Sequence, residues 1–450
     1  MTRPARNPKR PTMSQVARAA GVSTMTVSYA YSQPERVSPE TAAKVRAAAQ
    51  ELGYPGPHPA ARSLRRGRVG SLGVVLGERL SYAFEDPQAA RFLAGVSDVC
   101  AAEGVGLTLV PISGSPSDAR RVTEAAVDGF VVWTTSDDDP VLEAVAETGL
   151  PAVIHAGPAS PAAAATSSGA GSPSRAAFPA SAASPASAAS PASAASPASA
   201  ASPASAASPA SAASSTRAAS SAGAAPPAGA ALRSFSAALP SSSSSPSSRP
   251  VFVSRSGREI PVIGIDDRAA AAAMGAVAFA GARRPLVLGF PLDRARERLL
   301  LDGDQVGEVR FPVTRHRWEG FLDAWRAGGH AEDRLRLAVC PVNHLTEGER
   351  FTAELLDGTD PPDAIAAMSD ELALGALRAV AGAGLRTPGD VAVTGWDDSG
   401  TAATDGLTTL AQSLREQGAH CARAALGLPT TASAMHEWRV VIRGTSRQAR

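Results

Sequence analysis

A chain of 450 residues, 44% hydrophobic and 19% charged, is too long for one compact domain and has ample material for more than one core. Its three cysteines, Cys100, Cys340 and Cys421, lie far apart with no Cys-x-x-Cys or Cys/His spacing, which excludes a disulfide framework and a cysteine metal site as organising features. The net charge of +1 hides a split, because residues 1–70 hold 12 Lys and Arg against 3 Asp and Glu and so leave the rest at −8, the pattern of a basic head for a polyanion on an acidic body.

Residues 1–11 read as a disordered arm in which Arg3, Arg6, Lys9 and Arg10 stand among prolines without an apolar signal-peptide core. No 18-residue apolar run follows, so the expectation is a cytoplasmic protein with no membrane segment. From Thr12 the pattern turns helical. Thr12 suits an N-cap with Gln15 placed to reach back to it, and Val16, Ala17 and Ala20 form one apolar face. Gly21 stops that helix, Ser23 caps a second one with Thr24 and Met25 foremost, and Val22 and Val27 face inward. On its own this fits an ordinary helical hairpin as well as a helix-turn-helix. A third helix starts at Ser38-Pro39-Glu40, with Val45, Ala48, Ala49 and Leu52 inside and Gly53 at its end. The prolines at 55, 57 and 59 forbid helix, and Ala60 to Arg68 is a short basic segment with too little apolar area to be stable alone.

The run Val16-Ala-x-x-Ala-Gly-Val-Ser-x-x-Thr-Val-Ser28, then Val37-Ser-Pro-Glu-Thr41, Leu52-Gly-Tyr54 and Ala61-Arg-Ser-Leu64, resembles the head and hinge of the LacI/GalR (lactose-repressor) family. The resemblance implies a DNA-binding domain over 12–57 and a hinge helix over 58–68. It implies major-groove readers at Thr24, Met25 and Tyr29, and backbone contacts at Ser23, Thr26, Ser28 and Tyr54. In the hinge it implies minor-groove contacts at Ala61, Arg62, Leu64 and Arg65, with Leu64 as a wedge between base steps. The family usually carries Arg where Tyr29 stands, so the guanine preference that arginine confers is not expected here.

Beyond Val69, apolar runs at 70–76, 106–111, 129–133 and 150–154 alternate with helical patterns at 89–103, 119–127 and 140–148, which predicts a doubly wound parallel sheet. Residues 156–256 then turn almost wholly to Ala, Ser and Pro, with a Ser-Pro-Ala-Ser-Ala-Ala unit repeated five times from Ser184 to Ala213. Proline every sixth residue breaks any helix, so this is expected to be a disordered insertion, either inert or a partner-binding segment. The alternation resumes at Ile260 and builds a second sheet from Pro285 through strands near 335–340, 364–368 and 391–398 to a last helix at 414–426. The expected fold is therefore a small all-α head plus an α/β two-lobed core over 69–155 and 257–446, which by resemblance is like periplasmic binding proteins.

Ligands of open parallel sheets sit beyond the carboxyl ends of strands, which picks out Asp266, Asp267, Ser369, Asp370, Asp397 and Asp398. For each acid the plainer reading is a cap on the following helix. The resemblance adds Arg317 as a holder of an effector, Asp397 as its acid partner, and Tyr82, Phe84 and Trp396 as aromatics that either neighbour the effector or simply pack in the core. It implies a dimeric regulator of operator DNA controlled by a small sugar- or nucleoside-like effector, without cofactor or metal. No GxGxxG at a strand-to-helix turn, GxxxxGK[ST] or paired-histidine pattern signals an enzyme. A solute-binding or sugar-metabolising protein with an incidental helical head is the alternative.

Overall fold

The computed structural model describes residues 11–56, 67–77, 80–133, 135–136, 138–156, 250–430 and 434–447, with the backbone alone at 81–83. The hinge residues Ala61, Arg62, Leu64 and Arg65 and the repeats of the insertion lie outside the described residues, as does the N-terminal arm up to residue 10.

The head is three helices, α1 (Met13–Ala20), α2 (Thr24–Ser32) and α3 (Pro39–Glu51). Their ends are set by local chemistry. Thr12 Oγ1 accepts from the Gln15 amide, and Gln15 Oε1 accepts from the Thr12 amide at 2.8 Å, so two otherwise orphaned donors are satisfied reciprocally. Gly21 ends α1 at φ 69°, a conformation that favours glycine, and this lets the chain turn at once into α2. Ser23 caps α2 and Ser38 caps α3. Val16, Val27 and Val45 are fully buried with Ala17, Ala30, Ala48 and Ala49 around them, and each buried valine contributes on the order of 1.5–3 kcal/mol. Leu52 departs from expectation. It follows the last turn of α3 and stands 38% exposed, and Tyr54 completes the core instead, with its ring edge-on to Tyr31.

The first lobe carries a sheet in the order β2-β1-β3-β4-β6-β5, built from β1 (Ser71–Leu76), β2 (Gly106–Val110), β3 (Phe130–Trp133), β4 (Ala152–His155), β5 (Val251–Val253) and β6 (Glu259–Ile263). All neighbours are parallel except β5 on β6. The unbroken apolar strands follow from burial on both faces. Val74, Val131 and Val153 pack with Phe92 and Val96 on one side, and Val75, Val132 and Ile154 with Leu142 and Val145 on the other. Strand β5 falls within the segment expected to be wholly disordered. Phe252 is buried and a turn closed by Gly257 at φ 82° returns the chain to β6, so this apolar triplet is a hairpin arm hidden among Ala, Ser and Pro. The ends of the insertion flank β6, with Ala156 N–H donating to Ile263 and Pro250 O accepting from Val262.

The second lobe has the order β11-β10-β7-β9-β8, from β7 (Pro285–Gly289), β8 (Leu299–Asp302), β9 (Arg336–Val339), β10 (Ala364–Ala367) and β11 (Ala392–Thr394). Only β8 is antiparallel; it and the small pair β12 (Thr409–Ala411) and β13 (Arg439–Val441) add to the expected pattern. The strand expected to run to 398 stops at Thr394, because the backbone turns away with Asp397 at φ 107° and Asp398 at φ 49°.

The chain passes between lobes three times: after β6, between β12 and α13 (Leu414–Ala425), and after α13 on the way to β13. Helix α13 thereby packs on the first lobe, against α5 (Pro87–Glu103). Reciprocal glycines bring the two backbones together. A Cβ at Gly95 would stand 1.9 Å from the Arg415 carbonyl oxygen, and one at Gly418 would stand 2.2 Å from that of Phe92. Gly95→Ala is expected to destabilise the core by about 1–3 kcal/mol in urea unfolding, since a backbone carbonyl, unlike a side chain, cannot swing aside; an unchanged midpoint would mean that the helices separate without cost.

Candidate functional site

On the head, Thr24 and Met25 stand exposed on the first turn of α2, Met25 at 63%. Tyr29 is half-buried, one turn further along, with the Arg36 guanidinium 5.5 Å from its ring centre. The Ser23 hydroxyl is occupied as the cap of α2 and pairs with Thr26 Oγ1 at 2.9 Å. Ser28, also expected at the DNA backbone, is buried at 9% exposure. Tyr54 is half-buried against the head core.

Between the lobes lies a cleft of about 940 Å3, mouth included. It sits beyond the carboxyl ends of strands from both sheets, at Leu76, Trp133 and His155 on one side and Phe290, Asn343 and Asp397 on the other. Arg317, on α9 (Pro312–Ala327), anchors the second-lobe wall. Its Nε donates to Asp267 at 2.7 Å, its Nη1 donates to the Met368 carbonyl at 2.6 Å, and its guanidinium lies 4.0 Å from the Trp396 ring centre. A buried guanidinium demands such pairing.

The acid pairs separate cleanly. Asp267 and Asp397 line the cleft. Asp266 is exposed and caps α8 (Asp267–Ala278), accepting from the Ala269 amide at 2.9 Å. Asp370 is buried away from the cleft, where it accepts from the Ser399 amide and the Thr409 hydroxyl and so braces the turn after β11. Ser369 caps α11 (Asp370–Gly382) and donates to Asn343, which does line the cleft. Trp396 lies beneath Arg317 rather than at the surface of the cleft. Asp398 pairs with Arg443. Phe84 is 65% exposed and takes no part in the lining, so the first lobe's aromatic contribution is Trp133; the side chain of Tyr82 is outside the described residues.

Sequence reasoning missed Asp86, His155, Asn343, Gln412 and Gln417, all of which line the cleft. Trp133 and His155 end their strands and Asn343 follows one, so the rule that found Asp267 would have found them too. Gln412 and Gln417 come from the second crossing and carry no local signal. The lobes are tied across the cleft by Asn343 to Asp86 at 3.3 Å, and beside it by Arg294 to Asp139 and by Arg310 to Asp138 at 2.9 Å.

Burial dominates the electrostatics here. It holds the Asp397 carboxyl well above the usual range against the opposing pull of Arg317, with Asp370 adding to the rise. Burial also raises Asp86. Burial pushes His155 down to about 4, only partly offset by its hydrogen bond to Gln417.

Residues 12–56 match the family described as bacterial regulatory proteins, lacI family, and residues 299–446 match a periplasmic binding protein-like domain. An HTH-type transcriptional regulator of Mycobacterium tuberculosis is 29% identical over 91% of this chain and 89% of its own. The HTH-type transcriptional regulator IpsA of Corynebacterium glutamicum is 27% identical over 90% and 88%. In fold, the lac repressor dimer bound to operator and the anti-inducer ONPF superposes with a TM-score of 0.60 at 18% identity, covering 97% of this chain and 99% of that one. Among the described residues no helix is long and apolar enough to cross a membrane.

The buried imidazole has a measurable consequence. Between pH 6.5 and about 4 the unfolded chain takes up a proton at His155 that the fold refuses, so its contribution to stability is full above that window and falls as pH drops through it. Going from pH 7 to 5, the wild type is expected to lose about 2 kcal/mol relative to His155→Gln in urea unfolding. Parallel losses in the two proteins would show that His155 is charged in the fold.

Proposed function

We propose, for a chain that belongs to the LacI family of bacterial regulatory proteins and is a sequence-specific DNA-binding transcriptional regulator, that it acts in the cytoplasm as a homodimer on double-stranded operator DNA, without catalysis. Its head reads the major groove through Thr24, Met25 and Tyr29, with Ser23, Thr26, Ser28 and Tyr54 near the backbone and the hinge at Ala61, Arg62, Leu64 and Arg65 in the minor groove. A small polar ligand in the cleft, held by Arg317, Asp267 and Asp397, sets the affinity. The observation that carries this reading is the cleft itself. It lies between two lobes joined by three crossings, so a ligand that prefers one arrangement of the lobes shifts their balance and thereby the posture of the hinge.

Two heads on adjacent half-sites need a two-fold dimer, and the operator is then a pseudo-palindrome. Selection of bound sequences from random duplexes by the full chain is expected to recover such a motif. Thr24→Ala is expected to relax preference at one position per half-site, weakening binding to the best site about 10–100-fold. Loss confined to overall affinity with an unchanged motif would place Thr24 outside the groove, and specific binding by a chain lacking residues 1–68 would overturn the assignment of the head.

A further inference from the structure

The chain that comes from the head is received by the core at one carboxylate. Asp128, in the loop before β3, accepts from the backbone amides of both Val69 and Gly70, with Oδ1 at 2.7 Å and Oδ2 at 2.6 Å. Two successive amides can face one carboxylate because Gly70 stands at φ 81°, in the left-handed region, which folds the backbone into a small concave nest for an anion. The loop also bonds in the other direction. The Asp128 amide donates to the Ser71 carbonyl at 2.8 Å, and the Gly70 carbonyl accepts from the Gly106 amide of β2, also at 2.8 Å. Among the described residues from Gly67 onward, these are the first bonds that the incoming chain makes with the core.

The carboxylate is mounted on rigid ground. Val127 before it is buried in the first-lobe core. Gly129 after it is wedged so closely that a Cβ there would stand 2.5 Å from the carbonyl oxygen of Ala425, the last residue of α13, and 3.0 Å from that of Pro151. The Gly129 carbonyl in turn accepts from the Gly73 amide in β1 at 2.9 Å. The received chain is held differently. Val69 is 45% exposed, so packing does little to locate it, and a charge-assisted pair of hydrogen bonds fixes its direction instead. The chain just outside the core is thereby given one heading, where a free backbone would sample several.

We propose that Asp128 is a positioning residue for operator binding: by locking Val69 and Gly70 it fixes the direction in which each protomer's chain leaves the core toward its head, and so sets the distance between half-sites that the dimer accepts. This rests on the reading of the chain as a dimeric regulator of operator DNA. Asp128 itself touches no base, and the sequence of each half-site is left to α2. Two heads joined through fixed exits make a bivalent reader whose second contact forms only at a matching spacing, whereas loosely held exits let the second head reach sites of other lengths. The sign of the effect separates this role from plain charge. On electrostatic grounds alone, removing an acid from a DNA-binding protein strengthens binding. Unlocking the exit weakens it, because the freed backbone must be ordered again on DNA.

Two substitutions open the nest from opposite sides. Asp128→Asn keeps the size of the side chain but sets an NH2 group against one of the two amides. Gly70→Val leaves the carboxylate in place and imposes a β-branched residue on a left-handed backbone; a Cβ there meets nothing within 4 Å, so the strain is confined to the nest. The full chain first selects its operator from random duplexes. Affinity is then measured for that operator, for versions lengthened or shortened by one base pair between the half-sites, and for an unrelated duplex. The wild type is expected to bind the altered spacings about 100-fold more weakly than the selected one. In each variant this ratio falls to about tenfold, because the selected operator is bound about tenfold more weakly while the half-site motif and the affinity for the unrelated duplex stay as in the wild type. A merely structural role would lower the urea midpoint and leave the spacing ratio alone. Indifference to spacing in the wild type, the wild-type ratio in either folded variant, or tighter operator binding by Asp128→Asn overturns the inference. A changed half-site motif does so too, since it would place Asp128 among the readers. A wild type that selects no paired half-sites overturns the dimeric reading, and the inference with it. Both variants are judged on protein with wild-type secondary structure by circular dichroism, and if one fails to fold the other carries the test.

Discussion

The second lobe's face of the cleft depends on one buried cation. Arg317 is drawn from α9 into a place where it must be satisfied on every side. It is satisfied by Asp267 at the start of α8, by the carbonyl at the end of β10 and by the Trp396 ring after β11. A guanidinium is suited to this because its planar fork meets a carboxylate and a carbonyl at once and its face stacks on an aromatic ring. Removing it would leave Asp267 charged and buried without a partner, which costs more than the pair contributes while intact. The strand ends that form the wall are therefore located by Arg317 as much as by the sheet.

Much of this was legible in the residues, and where it was not the reason is physical. The head could be read in detail because capping is local: Thr12 and Gln15, Gly21, Ser23 and Ser38 each act within four residues of themselves. The parallel strands could be read because burial on both faces leaves unbroken apolar runs. Strand β5 could not, since three residues inside a low-complexity tract carry too little pattern, and β8 and β13 are short edge pieces whose pairing is decided at long range. At the cleft, the strand-end rule named pairs of acids without deciding between members. Asp266 and Asp267 are adjacent, yet one caps a helix in solvent and the other meets Arg317, a difference of helical phase. The positions of Gln412 and Gln417 follow only from where the crossing segment lies, which no local pattern encodes.

The cleft also shows how a body of net negative charge carries buried acids without disrupting itself. Asp86, Asp370 and Asp397 are each pushed toward their neutral forms by burial, and each is met by donors from neighbouring segments. The lobe-to-lobe ion pair of Arg310 with Asp138 sits in water, whereas Asp139 beneath Arg294 is buried. The exposed pair's attraction is more open to screening by salt, so interactions of two different strengths span the same gap. The inner contacts favour a particular geometry, and the outer ones favour approach.

Helix α13 has a consequence for how the protein is made. A ribosome delivers the first lobe's opening strands early, but their outer face is completed by a helix that follows the insertion and all of the second lobe except β13. Until then the side of α5 that meets α13, and the side chains of β3 and β4 beneath that helix, lack their cover. The second lobe can close on α8, α9 and α11 before the first is finished. Vectorial synthesis thus reverses the order of the two lobes, and the emerging first lobe is the segment that calls for protection by chaperones while translation continues.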